Sequence, residues 1–118
     1  MSRAKGTWGE AQVAAYLRQK GYQLLAHSYH CRFGEIDLIA QKGKMLCFVE
    51  VKTRSNLQYG LPREYVTDAK QEKLRKTAAF YLAEKELDCP VRFDVAEVYS
   101  DAKHTSTSVR IEYLENAF

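Results

Sequence analysis

The sequence predicts an α/β fold. It reads as a central mixed sheet flanked by helices in the order αβββαβ, with one further strand at the C-terminal end. Three observations carry this expectation. An apolar helical repeat opens the chain, two strand-like runs meet at a glycine turn between residues 34 and 54, and a second helical stretch is followed by strand patterns after Pro90. The 118 residues, 46% hydrophobic and 28% charged, suit one globular domain spanning 1–118.

The elements follow in order. "TWGEAQVAAYLRQKG" reads as the first helix, with Thr7 as N-cap, Glu10 three residues on as its capping-box partner, and Gly21 placed to end it. Glu10, Val13, Ala14 and Leu17 share one face, so Glu10 also ends the buried stripe and can point toward a neighbouring sheet. "YQLLAHSYHCR" is a strand with a ragged pattern. Gly34 marks a turn, and Gly34–Ala40 is the next strand, with Ile36, Leu38 and Ala40 on one side and Glu35, Asp37 and Ile39 on the other. "QKGK" supplies a hairpin turn in which Gly43 is free to take positive φ.

"MLCFVEVKT" follows, with Leu46, Phe48, Glu50, Lys52 and Arg54 on one face; only the far end of that face is charged. "SNLQYGLPRE" is a polar, irregular connection. "TDAKQEKLRKTAAFYLAEKEL" is a long helix starting near Thr67, with Lys70, Leu74, Ala78 and Tyr81 along one face. After Pro90, "VRFDVAEVY" is a strand in which Arg92 and Asp94 form a structural pair. "DAKHTST" is a loop and "VRIEYL" the last strand.

Composition narrows the function classes. No apolar run is long enough to span a bilayer, so no membrane partner is expected. "MSRAKGTWGE" lacks the apolar core of a signal peptide, and Cys31, Cys47 and Cys89 form no CxxC pair; the expectation is a cytoplasmic chain with reduced thiols and no zinc. Charge is uneven. Residues 1–59 hold nine Lys and Arg against four Asp and Glu, whereas residues 60–118 hold nine against eleven. A basic half with a few acids set among apolar elements suits a polyanion ligand.

Those acids raise the chemical question. If the hairpin pairs Ala40 with Met45, Glu35 lies opposite Glu50; a shift of two residues puts Asp37 opposite Glu50. In either register Asp37 and Glu50 share a face within roughly 5–8 Å. They repel one another unless a cation lies between them. Lys52, on the same face, is one such cation, and a purely structural ion pair is the plain alternative. A divalent metal restores the balance better, because Mg²⁺ takes one or two carboxylates, retains waters and accepts phosphate oxygens for the rest.

Asp37 followed across a turn by Glu50-Val51-Lys52 resembles the PD-(D/E)xK nuclease superfamily, with Ile36 standing where the superfamily's name places a proline. "GEAQVAAYLRQKGY", "GEIDLIA", "FVEVKTR", "RFDV" and "ENAF" resemble, over nearly the whole chain, the YraN-type family of small bacterial proteins. The wider similarity is to archaeal Holliday-junction resolvases. The resemblance implies a restriction-endonuclease-like core and a Mg²⁺- or Mn²⁺-dependent endonuclease acting on DNA, branched or junction DNA included, with a homodimer as the working form. It implies Asp37 and Glu50 as metal ligands and catalytic acids, Lys52 as the catalytic lysine, and Glu10 as a further catalytic or metal-holding acid. Arg54, Arg32, Lys42 and Lys44 would contact phosphates, as would Lys70 from the second helix. Tyr29, Tyr59 and Trp8 can stack on bases or pack in the core. The competing reading is a nucleic-acid-binding module that keeps the fold without cutting.

Overall fold

The computed structural model describes residues 3–55, 66–100 and 109–118. The expected core order is observed. Helix α1 (Arg3–Gln19) precedes strands β1 (Gln23–Cys31), β2 (Gly34–Lys42) and β3 (Met45–Ser55), then helix α2 (Asp68–Glu84), β4 (Val91–Ser100) and β5 (Arg110–Leu114). The five strands lie side by side in chain order. β3 and β4 run parallel, joined by a crossover that contains α2, and every other neighbouring pair is antiparallel. Ser55, the first residue of the "SNLQYGLPRE" connection, ends β3; the rest of that connection and "DAKHTST", with Tyr59 and His104, lie outside the described residues.

Each helix closes one face of the sheet. Val13 and Leu17 of α1 pack with Leu38, Ala40, Cys47, Val49, Ala96 and Val98. Leu74, Ala78 and Tyr81 of α2 pack on the opposite face with Ile39, Leu46, Phe48, Phe93 and Val95. The central strand β3 is apolar on both faces because both are covered, as a parallel-paired strand requires. α1 ends where expected: Gly21 takes φ +94, and the Tyr22 N–H reaches back to the Leu17 carbonyl at 2.9 Å.

Two expectations fail. The first helix starts at Arg3 rather than after Thr7, so Thr7 lies inside it and Glu10 is no capping-box residue. Ile36 does not share a side with Leu38 and Ala40; it packs with Ile39 on the α2 side. The strict two-residue alternation breaks around Asp37. β1 is irregular as well: Ser28, beside Asp37, takes φ +51, and a register shift lies between Leu24 and Ala26, opposite Ala40 and Ile39. These irregularities explain the ragged pattern of β1, and the left-handed Ser28 lies where β2 changes face between Ile36 and Leu38.

A candidate active site at the parting of two strands

The β2–β3 ladder pairs Lys42 with Met45, Ala40 with Cys47 and Leu38 with Val49, which is the shifted of the two registers considered. The last described pair is Leu38–Val49, so Asp37 and Glu50 are the next facing residues, at the point where the ladder stops. There the Asp37 side chain takes over the role of a strand carbonyl: its Oδ2 accepts the Val51 N–H at 2.8 Å. Asp37 is thereby fixed against β3, on the same strand segment that carries Glu50 and Lys52.

Glu50 is buried at the edge of the α2-side core and holds two ammonium groups. Lys70 Nζ lies 2.7 Å from its Oε2 and Lys52 Nζ lies 3.4 Å from the same atom. Lys70 is brought there by the start of α2, where Thr67 caps the helix and its Oγ1 accepts the Lys70 N–H at 3.2 Å. Glu10 comes from the other side of the sheet. Its Oε1 accepts the Ser28 hydroxyl at 3.0 Å. Ser28 sits between the His27–Leu38 and Tyr29–Ile36 pairs, beside Asp37. Sequence reasoning missed Ser28. Its only signal is a polar residue breaking the strand pattern of β1, and nothing in the sequence shows its left-handed backbone.

The electrostatics follow from this crowding. Burial, then the Glu50 charge, with smaller contributions from Glu10 and Glu35, push Asp37 up to about 7 against the opposing Val51 N–H. Burial, and then the neighbouring Lys70, lower the Lys52 pKa below the ordinary lysine range. Burial acts most strongly on Lys70 and would lower it, but the hydrogen bonds to Glu50 and Lys52 and the charges of Glu50 and Asp37 together raise it. Of the two amines, Lys70 makes the shorter contact with Glu50 and keeps its proton more firmly.

The other expected residues divide by position. Arg54, two residues beyond Lys52 on the same face, is ion-paired to buried Glu97, with Nε 3.1 Å from Oε1. Arg32 lies in the β1–β2 turn, over the Phe33 ring at 5.0 Å. Lys42 and Lys44 belong to the β2–β3 hairpin at the opposite end of the strands. Lys42 lies five positions along β2 from Asp37, about 17 Å of extended chain, so these two lysines are not brought to the site. Lys42 instead lies over the Tyr22 ring at 5.3 Å. Tyr29 and Trp8 are packing residues. Tyr29 meets Tyr81 edge-on at 5.0 Å and donates to Glu84 at 2.9 Å, and Trp8 packs against the α1-side core. Arg92 and Asp94 form the expected structural pair, extended by Tyr22, Tyr113 and the Asn116 N–H into a buried network away from the acids.

Among the described residues, no group of three or more His, Cys, Asp or Glu is gathered as a cage for an ion. The donor chemistry nonetheless fits a hard divalent cation. Asp37 and Glu50 face each other where the ladder stops, and Mg²⁺ commonly needs only one or two carboxylates, completing its shell with water. No helix among the described residues is long and apolar enough to cross a membrane.

Comparison with known proteins places the chain among relatives without an assigned activity. The model of the family described as "Uncharacterised protein family UPF0102" matches residues 9–98. A "UPF0102 protein" of Alkaliphilus metalliredigens (strain QYMF) is 44% identical over 119 residues, covering 100% of both chains. One from Acetivibrio thermocellus is 44% identical over 98% of this chain and 92% of its own length. One from Syntrophus aciditrophicus (strain SB) is 45% identical over 96% of this chain and 87% of its own.

Proposed function

The chain belongs to the uncharacterised protein family UPF0102, and we propose that its site hydrolyses phosphodiester bonds in nucleic acid with a bound Mg²⁺ or Mn²⁺. The observation that supports this reading best is the meeting of Asp37 and Glu50 where β2 and β3 part, with the ammonium of Lys52 against Glu50. The arrangement matches the acid-acid-lysine order that the PD-(D/E)xK resemblance implies.

Asp37 and Glu50 would hold the cation, with Glu10 as the additional acid. A divalent cation there supplies Lewis acidity toward the phosphate and an acidified bound water. The chain's own residues do the rest. The Val51 N–H fixes the Asp37 carboxylate, and Lys70 fixes Glu50. Lys52 Nζ, on the same strand face, aligns the attacking water and meets the negative charge that grows on the phosphate oxygens. DNA is the substrate assigned, branched and junction forms included, and a homodimer would set two such sites for paired cuts.

The test is a panel of linear, branched and four-way-junction DNA and RNA, incubated with Mn²⁺, Mg²⁺ or EDTA, for the wild type and Lys52→Ala. Metal-dependent cutting that falls on the order of a hundredfold or more in the variant supports the reading. Equal cutting by both, or cutting in EDTA, sinks it. Metal-independent binding without any cleavage identifies the non-cutting module instead, a reading favoured by one observation: two lysines already balance Glu50.

A further inference from the structure

We propose that the sheet face beyond Lys52 is a second nucleic-acid subsite, in which Arg54, Tyr99 and Arg110 grip the phosphate neighbouring the one to be cut and buried Glu97 is the positioning residue for Arg54. The proposal rests on the reading above for its ligand and on register for its geometry. β3 and β4 pair in parallel, with Lys52 beside Glu97 and Arg54 beside Tyr99. β4 and β5 continue the same rows, with Glu97 beside Glu112 and Tyr99 beside Arg110. Alternation puts all six side chains on the face that carries Glu50. The outer row, Arg54–Tyr99–Arg110, therefore crosses three adjacent strands, about 10 Å in all, and lies about 7 Å along β3 from Lys52.

Three further observations give the row its character. Arg110 stacks its guanidinium over the Tyr99 ring at 4.3 Å, and its side chain is 59% exposed. It also pairs with Glu112, itself half exposed, a partner that a phosphate can replace. Arg54 is mostly buried, at 18% side-chain exposure, so it cannot sweep the surface as a free arginine does. Glu97 is the unusual member. It is 0% exposed, its Oε1 holds Arg54 Nε, and its Oε2 is buried with no hydrogen-bond partner among the described residues.

A fully buried carboxylate with one unsatisfied oxygen is a costly feature for a sheet to keep. It lies directly under the cationic corner formed by Lys52 and Arg54. It holds Arg54 in register without occupying the surface where a polyanion would lie. A nucleic-acid strand leaving the Asp37–Glu50 site along β3 would meet this row next, and the row's two guanidinium groups match the oxygens of a phosphodiester.

The test measures equilibrium binding of fluorescent single-stranded and duplex DNA in EDTA across a salt series, so that it does not depend on cleavage. Exposed Arg110→Gln is expected to weaken binding several-fold and to lower the slope of log affinity against log salt by about one. Glu97→Ala should lower the slope similarly by releasing Arg54, and Glu97→Gln, which still accepts from Arg54 Nε, should restore it. A merely structural Glu97 would shift the melting temperature and leave the slope unchanged. Wild-type affinity and slope in Arg110→Gln overturn the subsite while leaving the proposed site intact. Absence of wild-type binding at low salt overturns both, and the expected loss of slope in Arg110→Gln together with no cleavage in Mn²⁺ supports the subsite while removing the nuclease.

Discussion

Asp37 keeps its proton up to about pH 7 in the folded chain, whereas an unfolded aspartate loses it near pH 4. Between those values the folded state binds more protons than the unfolded state, so this residue makes stability fall as pH rises through the window and level off above it. Asp37→Asn cannot titrate. Its stability relative to the wild type should therefore climb from about pH 4 to about pH 7 and then stay constant, as read from thermal melts at half-unit steps. Parallel curves would mean that Asp37 ionises like an ordinary surface acid. Glu50 calls for a different expectation. From the sequence its removal looks like relief of crowding, since only Lys52 is visible as a counter-charge. The structure adds Lys70 on the same oxygen, so Glu50→Ala strands two ammonium groups, one of them half-buried. We expect a loss of about 1–3 kcal/mol in the metal-free protein, measured by denaturant melts. A gain would show that carboxylate repulsion outweighs both ion pairs.

Two helix starts show how elements aim side chains, and how far each was legible. The start of α2 can be read near Thr67, where a long amphipathic run begins, with Lys70 on its inward stripe; the structure adds that Thr67 is its N-cap. That Lys70 reaches Glu50 needed the crossover geometry, which no local pattern carries. Thr67→Ala removes the bond to the Lys70 N–H and should cost about 1 kcal/mol. Because Lys70 is the residue capped, the variant should also loosen the Lys70–Glu50 contact, which thermal melts with and without Lys70→Gln in the background will reveal as non-additivity. The start of α1 was misread. Thr7 and Glu10 fit a capping box in spacing, but the helix extends back to Arg3 and Glu10 instead bonds Ser28 across the sheet. Gly9 explains why α1 can lie so close. A Cβ there would overlap Thr53 Oγ1 and touch Val51 Cγ1 at 3.5 Å. Gly9→Ala should gain helix propensity of about 1 kcal/mol yet lose more by pushing α1 off β3, and by displacing Glu10 it should reduce any cleavage further than the melting temperature explains. Unchanged activity together with a raised melting temperature would mean that the close approach does not matter.

Over the whole molecule, the αβββαβ order was legible because hydrophobic periodicity and turn glycines are local signals. The acids and lysine of the candidate site stand out in the sequence, because charge inside an apolar strand is conspicuous. What was not legible depends on long-range pairing: the face change at Ile36, the left-handed Ser28, the second cation on Glu50, and the rows that bring Glu97 and Arg110 beside β3. These converge on a sheet whose charged end gains little as a metal-free protein, since its acids repel and one of them stays protonated near neutrality. Metal binding should thus appear as stability. A cation that binds only the folded state adds about 2.7 kcal/mol at a hundredfold excess over its Kd, worth several degrees of melting temperature in a domain of this size. Because the cation competes with the proton on Asp37, the Mn²⁺-induced rise should be clearly larger at pH 8 than at pH 5.5. Asp37→Asn should lose most of the rise at both pH values, and Glu72→Gln, at an exposed ion pair on α2, should keep it. A rise of equal size at both pH values, or one retained by Asp37→Asn, would place the cation elsewhere on the chain and leave the Asp37–Glu50 pair as a protonated structural contact.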